Sequence, residues 1–211
     1  MMIILQELKK VILLELKNNK KERRNKTMKN LTQKFTGKKT SINTTKLPAI
    51  YSKLNLEKLR GKKIFDFGAG KPETCQIIRN ELWKYRIDYI PYDKYNLPEE
   101  SNKQNLASAL TADIFICSNV LNVIKEDDII QSIIETIAYK SLKNTHRIEH
   151  KPFFFTIYDG DKSGIGRQSQ DDCWQRNQKL QSYLNDFNWG FMYPVKYKGV
   201  ITNNAGKEYL K

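Results

Sequence analysis

Apolar and polar residues alternate along most of the chain in two different periods, and the two periods follow one another. Short apolar runs of strand type are separated by longer segments in which apolar residues recur every three or four positions, as on one face of a helix. The runs predict strands at 63–67, 87–92, 113–118 and 152–158, with two more near 192–196 and 198–202. The longer segments predict helices at about 74–85, 126–140 and 171–187, and a short helix after Pro48. Strands that alternate with helices predict an α/β fold with a doubly wound, mainly parallel sheet of Rossmann-like type.

The beginning of the chain has a different pattern. Residues 3–17 predict an amphipathic helix, whose apolar face holds Leu5, Leu8, Ile12 and Leu16. The next stretch, 18–27, is polar and charged without an apolar period, which is typical of a linker or a basic arm. We therefore divide the chain into a basic helical N-terminal extension, 1–39, and an α/β domain, 40–211. The apolar helix face would pack on the body of the protein, on a second copy or on another partner.

The net charge of +14 is concentrated in the N-terminal third. Residues 1–63 hold 18 of the 37 basic residues and four of the 23 acidic ones, so the rest of the chain is balanced. A general bias toward lysine would raise it everywhere, whereas a local excess attracts polyanions through contacts that weaken with salt. We expect nucleic acid as a partner, bound through Lys20, Lys21, Arg23, Arg24, Lys26, Lys38 and Lys39.

The cysteines and the apolar runs indicate the cellular compartment of the protein. Cys75, Cys117 and Cys173 are odd in number and far apart, which favours neither a disulfide framework nor a metal site. The apolar run at 11–14 is too short to span a bilayer, and no secretory cleavage site follows it. We expect a reducing, cytoplasmic location and no membrane span.

Residues 64–71, "IFDFGAGK", contain the end of the strand predicted at 63–67. An acid, Asp66, lies near the end of this strand, and two glycines, Gly68 and Gly70, follow it. A nucleotide-phosphate loop requires GxxxxGK followed by Ser or Thr, and Pro72 stands at that place. A dinucleotide-binding loop has a third glycine where this chain has Glu73, and Asp66 would repel a pyrophosphate. A cationic cofactor reverses the electrostatic argument, because an acid before the glycines then attracts the ligand.

The stretch "IFDFGAG" resembles motif I of class I S-adenosylmethionine-dependent methyltransferases, an apolar pair followed by Asp-x-Gly-x-Gly. Three more stretches resemble the same family. In "DYIPYDKYN" Asp93 would accept the ribose hydroxyls, and in "ADIFICSNVLNVI" the turn would line the methionine end. The third, "FFFTIYDGD" at 153–161, is similar to the family's fifth strand and the loop that follows it. The family continues its glycine motif where this chain has Pro72. The resemblance implies S-adenosyl-L-methionine as cofactor, bound by Asp66, Phe67, Gly68, Ala69, Gly70, Asp93, Lys94, Ser118, Asn119 and Val120.

The resemblance also implies methyl transfer by in-line displacement, in which the protein positions the acceptor and, where needed, removes a proton. Segment 158–177, "YDGDKSGIGRQSQDDCWQRN", supplies acidic, basic and stacking groups for this purpose. We expect Asn119, Tyr158 and Asp159 to be catalytic, and Lys162, Arg167, Trp174 and Arg176 to contact the acceptor. The alternative for this segment is a solvated connection followed by a helix with Trp174 packed inside.

The order of these motifs resembles small stand-alone methyltransferases of bacteriophages and mobile elements, which would place the protein in the host cytoplasm. We predict a methyltransferase that acts on DNA or RNA. Two alternatives stay open. The acceptor would be a small molecule or a protein, because "SNVLNVI" lacks the prolines and the aromatic residue that grip a flipped base. Alternatively, the fold would have lost catalysis and would serve in nucleic-acid binding or assembly, as Pro72 suggests.

Overall fold

The computed structural model describes residues 32–38, 46–142 and 149–211. Gln33–Lys211 form one compact unit. Its strands are β1 (Lys63–Phe67), β2 (Asp88–Tyr92), β3 (Ile114–Ser118), β4 (Phe153–Thr156), β5 (Arg167–Gln170), β6 (Cys173–Gln175), β7 (Val195–Tyr197) and β8 (Val200–Thr202). Its α-helices are α1 (Ala49–Lys53), α2 (Pro72–Trp83), α3 (Glu99–Ser108), α4 (Asp127–Ser141), α5 (Leu180–Asp186) and α6 (Asn204–Lys207).

Six strands form the central sheet in the order β2-β1-β3-β4-β8-β7. The first four are parallel to one another, β8 is antiparallel to β4, and β7 is antiparallel to β8. Strands β5 and β6 form a separate antiparallel hairpin. The α/β architecture with a mainly parallel sheet is therefore confirmed, and it is compatible with a Rossmann-like fold.

The two faces of the sheet are covered by different helices, because neighbouring residues of a strand point to opposite faces. Phe65 of β1 belongs to an apolar cluster that includes α4 and α5, whereas Ile64 belongs to a second cluster that includes α1 and α2. The central strand β3 is buried at four of its five positions. Burial on both faces explains its almost continuous apolar sequence.

Most predicted elements are confirmed within a few residues, one predicted helix is wrong, and one helix was not predicted. The helix predicted at 171–187 is instead the second half of the β5–β6 hairpin, an irregular connection and the short helix α5. Asp172 and Asn177 adopt φ values of 59° and 56°, which an α-helix does not accommodate. Helix α3 was missed because its sequence has no apolar period, and Asn102 is its one buried residue.

The segment 33–38, which we call the strap, packs on the α/β body. The backbone N–H of Lys34 donates to the Glu126 side chain (3.1 Å), and the Gly37 N–H donates to the Asp172 carbonyl (2.9 Å). The hydroxyl of Tyr95 donates to the Gln33 side-chain oxygen (3.2 Å). The sequence prediction grouped these residues with the extension, whereas they contact the α/β domain.

Candidate functional site

The carboxyl ends of β1, β2, β3 and β4 meet at one edge of the sheet because these strands are parallel. Strand β2 lies on one side of β1 and β3 lies on the other, so the chain reverses its direction of progress across the sheet after β2. In open α/β sheets ligands bind outside the carboxyl ends of the strands at such a switch point. The loops after β1 and β3 therefore frame the candidate site.

The glycine loop, residues 68–70, directs its backbone N–H groups into the protein. The Gly68 and Ala69 N–H groups donate to the Tyr92 carbonyl at 2.7 and 3.0 Å. The Gly70 N–H donates to the Asp93 carboxylate at 2.9 Å. The loop is thereby tied to the end of β2, and its three amides already have acceptors.

Asp66 lies just before this loop and is almost fully buried, with 3% of its surface exposed. One carboxylate oxygen, Oδ2, accepts hydrogen bonds from the Tyr51 hydroxyl (2.7 Å) and the Tyr89 hydroxyl (2.9 Å). The other oxygen, Oδ1, is buried with no hydrogen-bond partner among the described residues. Burial raises the pKa of Asp66 to about 6; the two tyrosine hydrogen bonds oppose the increase and the neighbouring Asp93 adds to it.

Asp93 follows β2, and both its backbone and its carboxylate form local hydrogen bonds. Its Oδ1 accepts from the backbone N–H groups of Tyr95 (3.0 Å) and Asn96 (2.9 Å). The side chain of Asn102, in α3, accepts from the Asp93 N–H (3.1 Å) and donates to the Asp93 carbonyl (2.7 Å). Because Oδ2 accepts one described bond, from Gly70, it has a lone pair left for a further donor.

Replacing Asn102 with Ala is expected to destabilise the fold by about 2–3 kcal/mol, because the buried Asp93 N–H loses its described partner and the Asp93 carbonyl keeps one of two donors, the Leu97 N–H (3.2 Å). Chemical denaturation of the two proteins measures the difference. Asn105→Ala is the matched control, since Asn105 donates one described bond, to the Pro91 carbonyl (2.7 Å), and a smaller cost is expected. Equal costs for the two variants would contradict the role of Asn102.

The ends of β3 and β4 are joined side by side. The hydroxyls of Ser118 and Thr156 lie 2.8 Å apart, and the Asn119 N–H donates to the Thr156 carbonyl at 2.8 Å. Asn119 is exposed with a left-handed φ of 56°. Val120 packs against the glycine loop, since a Cβ placed on Gly68 would lie 2.1 Å from Val120 Cγ2. The structure therefore brings Ser118, Asn119 and Val120 to the same edge as the glycine loop.

The loop after β4 carries three of the expected site residues, and a fourth, Arg167, begins β5. Tyr158 is 63% exposed, Asp159 is half-buried, and Lys162 and Arg167 are exposed. Asn177 and Gln175 hold this loop: Asn177 donates to the Ile165 carbonyl (2.9 Å) and Gln175 donates to the Tyr158 carbonyl (3.1 Å). The loop is therefore fixed by side chains that lie beyond it in the sequence.

Trp174 and Arg176 already have partners within the protein. Trp174 stacks on Phe35 of the strap, with ring centroids 5.4 Å apart. The Arg176 guanidinium forms an ion pair with Asp127 (2.7 Å) and donates to the carbonyls of Ile124 and Lys125. Arg176 thus fixes the turn that leads into α4.

The remaining residues expected at the site differ from one another in burial. Phe67 is half-buried against the Tyr92 ring, Ala69 is buried, and Lys94 is exposed with its ammonium 5.3 Å from the Tyr95 ring centroid. Lys38 is exposed at the end of the strap. The other expected nucleic-acid contacts and the amphipathic helix lie outside the described residues: Lys20, Lys21, Arg23, Arg24, Lys26, Lys39 and residues 3–17.

The residues that support the site have no distinctive pattern in the sequence. Tyr51 has the helical spacing of a core residue, and the alternation of β2 gives no sign that Tyr89 reaches a carboxylate. Asn102 and Asn177 are single polar residues in polar segments, although both are buried. A buried asparagine is recognised by its environment, which only the fold provides.

Within the described ranges, no helix is long and apolar enough to cross a membrane, and no cluster of three or more His, Cys, Asp or Glu side chains could hold a metal ion. Cys75, Cys117 and Cys173 are buried, and none of the three forms a disulfide.

The sheet and its edge define an α/β protein with a candidate ligand site at a topological switch point. Comparison with known proteins gives no match to a family model, to a curated protein or to a solved structure.

Proposed function

We propose that the chain is an S-adenosylmethionine-dependent methyltransferase. The observation that carries the proposal is the direction of the glycine-loop amides. A loop that cradles phosphate points its backbone N–H groups at the ligand. Here those of Gly68, Ala69 and Gly70 are bonded to the end of β2. The buried charged groups beside the loop are the carboxylates of Asp66 and Asp93, which complement a cation.

The residues present fit the proposed cofactor in three respects. Asp66 keeps a buried carboxylate oxygen without a described partner, and a buried polar atom of this kind calls for a ligand or a water. Its negative charge would complement the α-ammonium or the positive sulfur. Asp93 Oδ2 would accept one ribose hydroxyl. The cofactor supplies a methyl group activated by the positive charge on sulfur.

The place of Pro72 also supports an intact loop. Pro72 is the first residue of α2, directly after the N-cap residue Lys71. Proline is favoured at this position because its fixed φ suits the first turn and its missing N–H has no intrahelical acceptor there. The proline therefore begins the helix without disturbing Gly70, and the reading as a fold that has lost catalysis loses its main support.

The acceptor would lie on the side of β3 and β4. Asn119 and Tyr158 are exposed at neighbouring strand ends, and we propose that they orient the acceptor, with Asp159 removing a proton where the acceptor requires it. We keep nucleic acid as the proposed acceptor, bound in part by the basic residues of the N-terminal extension.

Calorimetric titration with S-adenosylmethionine tests the proposal, with ATP and NAD as controls. We expect S-adenosylmethionine to bind and the two phosphate-bearing ligands to bind far more weakly. Methyl transfer from labelled cofactor to DNA, RNA, protein and small-molecule fractions of a cell extract then identifies the acceptor. A folded protein that binds no S-adenosylmethionine would contradict the proposal.

A further inference from the structure

The outer strand of the β5–β6 hairpin presents only polar side chains. Its four residues, Arg167, Gln168, Ser169 and Gln170, are all exposed, and each carries hydrogen-bonding groups. Strand β6 faces the protein, with Cys173 buried and Trp174 half-buried. Among the described residues β5 pairs with β6 alone, so one edge of the ribbon remains exposed.

The β5–β6 hairpin is stabilised by contacts with the rest of the protein. Two paired strands are marginally stable on their own in water, so an ordered hairpin needs support. The strap supplies it: Phe35 stacks on Trp174 with an interplanar angle of 24°, and the Thr36 N–H donates to the Asp172 carboxylate (2.9 Å). On the other side the Arg176 N–H donates to the Asn122 carbonyl (2.9 Å). The result is a ribbon that is fixed along β6 and is exposed and polar along β5.

Three cations lie beside this ribbon, whose turn carries two acids, Asp171 and Asp172. The ammonium groups of Lys125 and Lys34 lie 4.9 Å from the Trp174 ring centroid and 5.4 Å from the Phe35 ring centroid. Arg167 is 3.7 Å from Asp161, and both side chains are largely exposed, so this ion pair is weak and leaves the guanidinium able to bind a ligand. Exposed cations combined with glutamine amides are suited to phosphates and base edges together.

We propose that the β5–β6 hairpin is a nucleic-acid-binding ribbon. Arg167, Lys34 and Lys125 contact phosphates, and Gln168 and Gln170 contact base edges, as in proteins that read nucleic acid with a two-stranded ribbon. The hairpin adjoins the loop after β4, since Gln175 of β6 bonds to the Tyr158 carbonyl. The inference rests on the proposed function and adds to it the surface that binds the acceptor strand.

The full-length double variant Arg167→Ala, Gln168→Ala tests this surface. Binding is measured by fluorescence anisotropy with a short labelled RNA, in single-stranded and duplex form. The variant should bind about tenfold more weakly than the unmodified protein, and the logarithm of its affinity should fall with the logarithm of salt concentration with a slope smaller by about one. The matched control is Lys103→Ala, Gln104→Ala, which removes one positive charge and one glutamine from the exposed face of α3. It should bind like the unmodified protein. Photo-crosslinking to a thiouridine-substituted RNA should label peptides from 167–176.

Three results would overturn the inference, two of them from the RNA measurements. One is equal RNA affinity of the two double variants; the other is crosslinks confined to residues 1–31. An equal loss of heparin binding would also overturn it, because it would reduce the ribbon to a general polyanion surface without base contacts. Calorimetry with S-adenosylmethionine separates this inference from the proposed function. If the unmodified protein binds no cofactor but the hairpin variant loses RNA affinity, the proposed function fails while the ribbon stands.

Discussion

Replacing Asp66 with Asn is expected to weaken S-adenosylmethionine binding at least tenfold, equivalent to about 1.4 kcal/mol. The buried carboxylate faces two tyrosine hydroxyls, and its Oδ1 has no described partner. Loss of one charge from a buried charge pair removes more binding energy than loss of an exposed charge, because little solvent screens it. Asn keeps the size of the side chain and an acceptor for the tyrosines while it removes the charge.

The same substitution is expected to change how stability depends on pH. Burial raises the pKa of Asp66 to about 6, whereas an unfolded chain would titrate this group near its ordinary value of 3.8. Between these two pH values the folded state retains a proton that the unfolded state releases, so stability falls as pH rises. Above about pH 6 the cost is complete, about 3 kcal/mol for a difference of roughly two pKa units.

Denaturation at pH 4 and pH 7 measures this cost directly. Relative to the unmodified protein, Asp66→Asn should gain about 2 kcal/mol between pH 4 and pH 7, whatever its stability at either pH. Asp88→Asn is the control, since Asp88 is an exposed acid at the opposite end of β2. It should leave both the pH dependence and the cofactor affinity unchanged. If Asp66→Asn bound the cofactor as well as the unmodified protein, the cationic ligand proposed for this site would be wrong.

Gly68→Ala is expected to destabilise the fold by about 2–4 kcal/mol and to abolish cofactor binding. Gly68 has a φ of +80°, and an added Cβ would lie 2.1 Å from Val120 Cγ2. Two costs therefore combine: the left-handed backbone, which disfavours residues with a Cβ, and a collision between the loops after β1 and β3. Either the glycine loop or the turn that carries Asn119 must move.

Gly61→Ala separates the two costs. Gly61 has a similar φ of +73°, with no atom within 4 Å of an added Cβ, so this variant should lose about 1–2 kcal/mol from the backbone term alone. Adding Val120→Ala to Gly68→Ala should restore the part of the stability that is lost to the collision with the Val120 side chain. Val120→Ala alone completes the double-mutant cycle. Equal costs for Gly61→Ala and Gly68→Ala would show that the two loops do not constrain each other. Denaturation and calorimetry supply the measurements.

The part of the fold that could be predicted is the part in which local pattern and tertiary burial agree. Strands β1 to β4 and helices α2 and α4 bury apolar residues at regular spacing, so periodicity located them. The same sequence placed Asp66 near the end of β1, and Asp93 and Asn119 directly after β2 and β3, and parallel pairing brings such positions to one edge.

The rest depends on partners that are distant in the sequence. The hairpin over 167–175 exists because Trp174 packs on Phe35 and Asp172 binds the strap, contacts that no local window contains. Helix α3 is anchored by one buried asparagine instead of an apolar stripe. Likewise, the roles of Tyr51 and Tyr89 follow from where β1 places Asp66, since neither residue is close to it in sequence.

The strap also has a consequence for motion at the site. One short segment is bonded to the loop after β2, to the turn after β3 and to the hairpin, through Tyr95, Glu126 and Asp172. A fluctuation that opens one of these three must break or pull on the other two, so they should open as one cooperative unit. The amide hydrogens of Lys34, Thr36 and Gly37 would then exchange with solvent at a common rate, set by the opening of the whole edge.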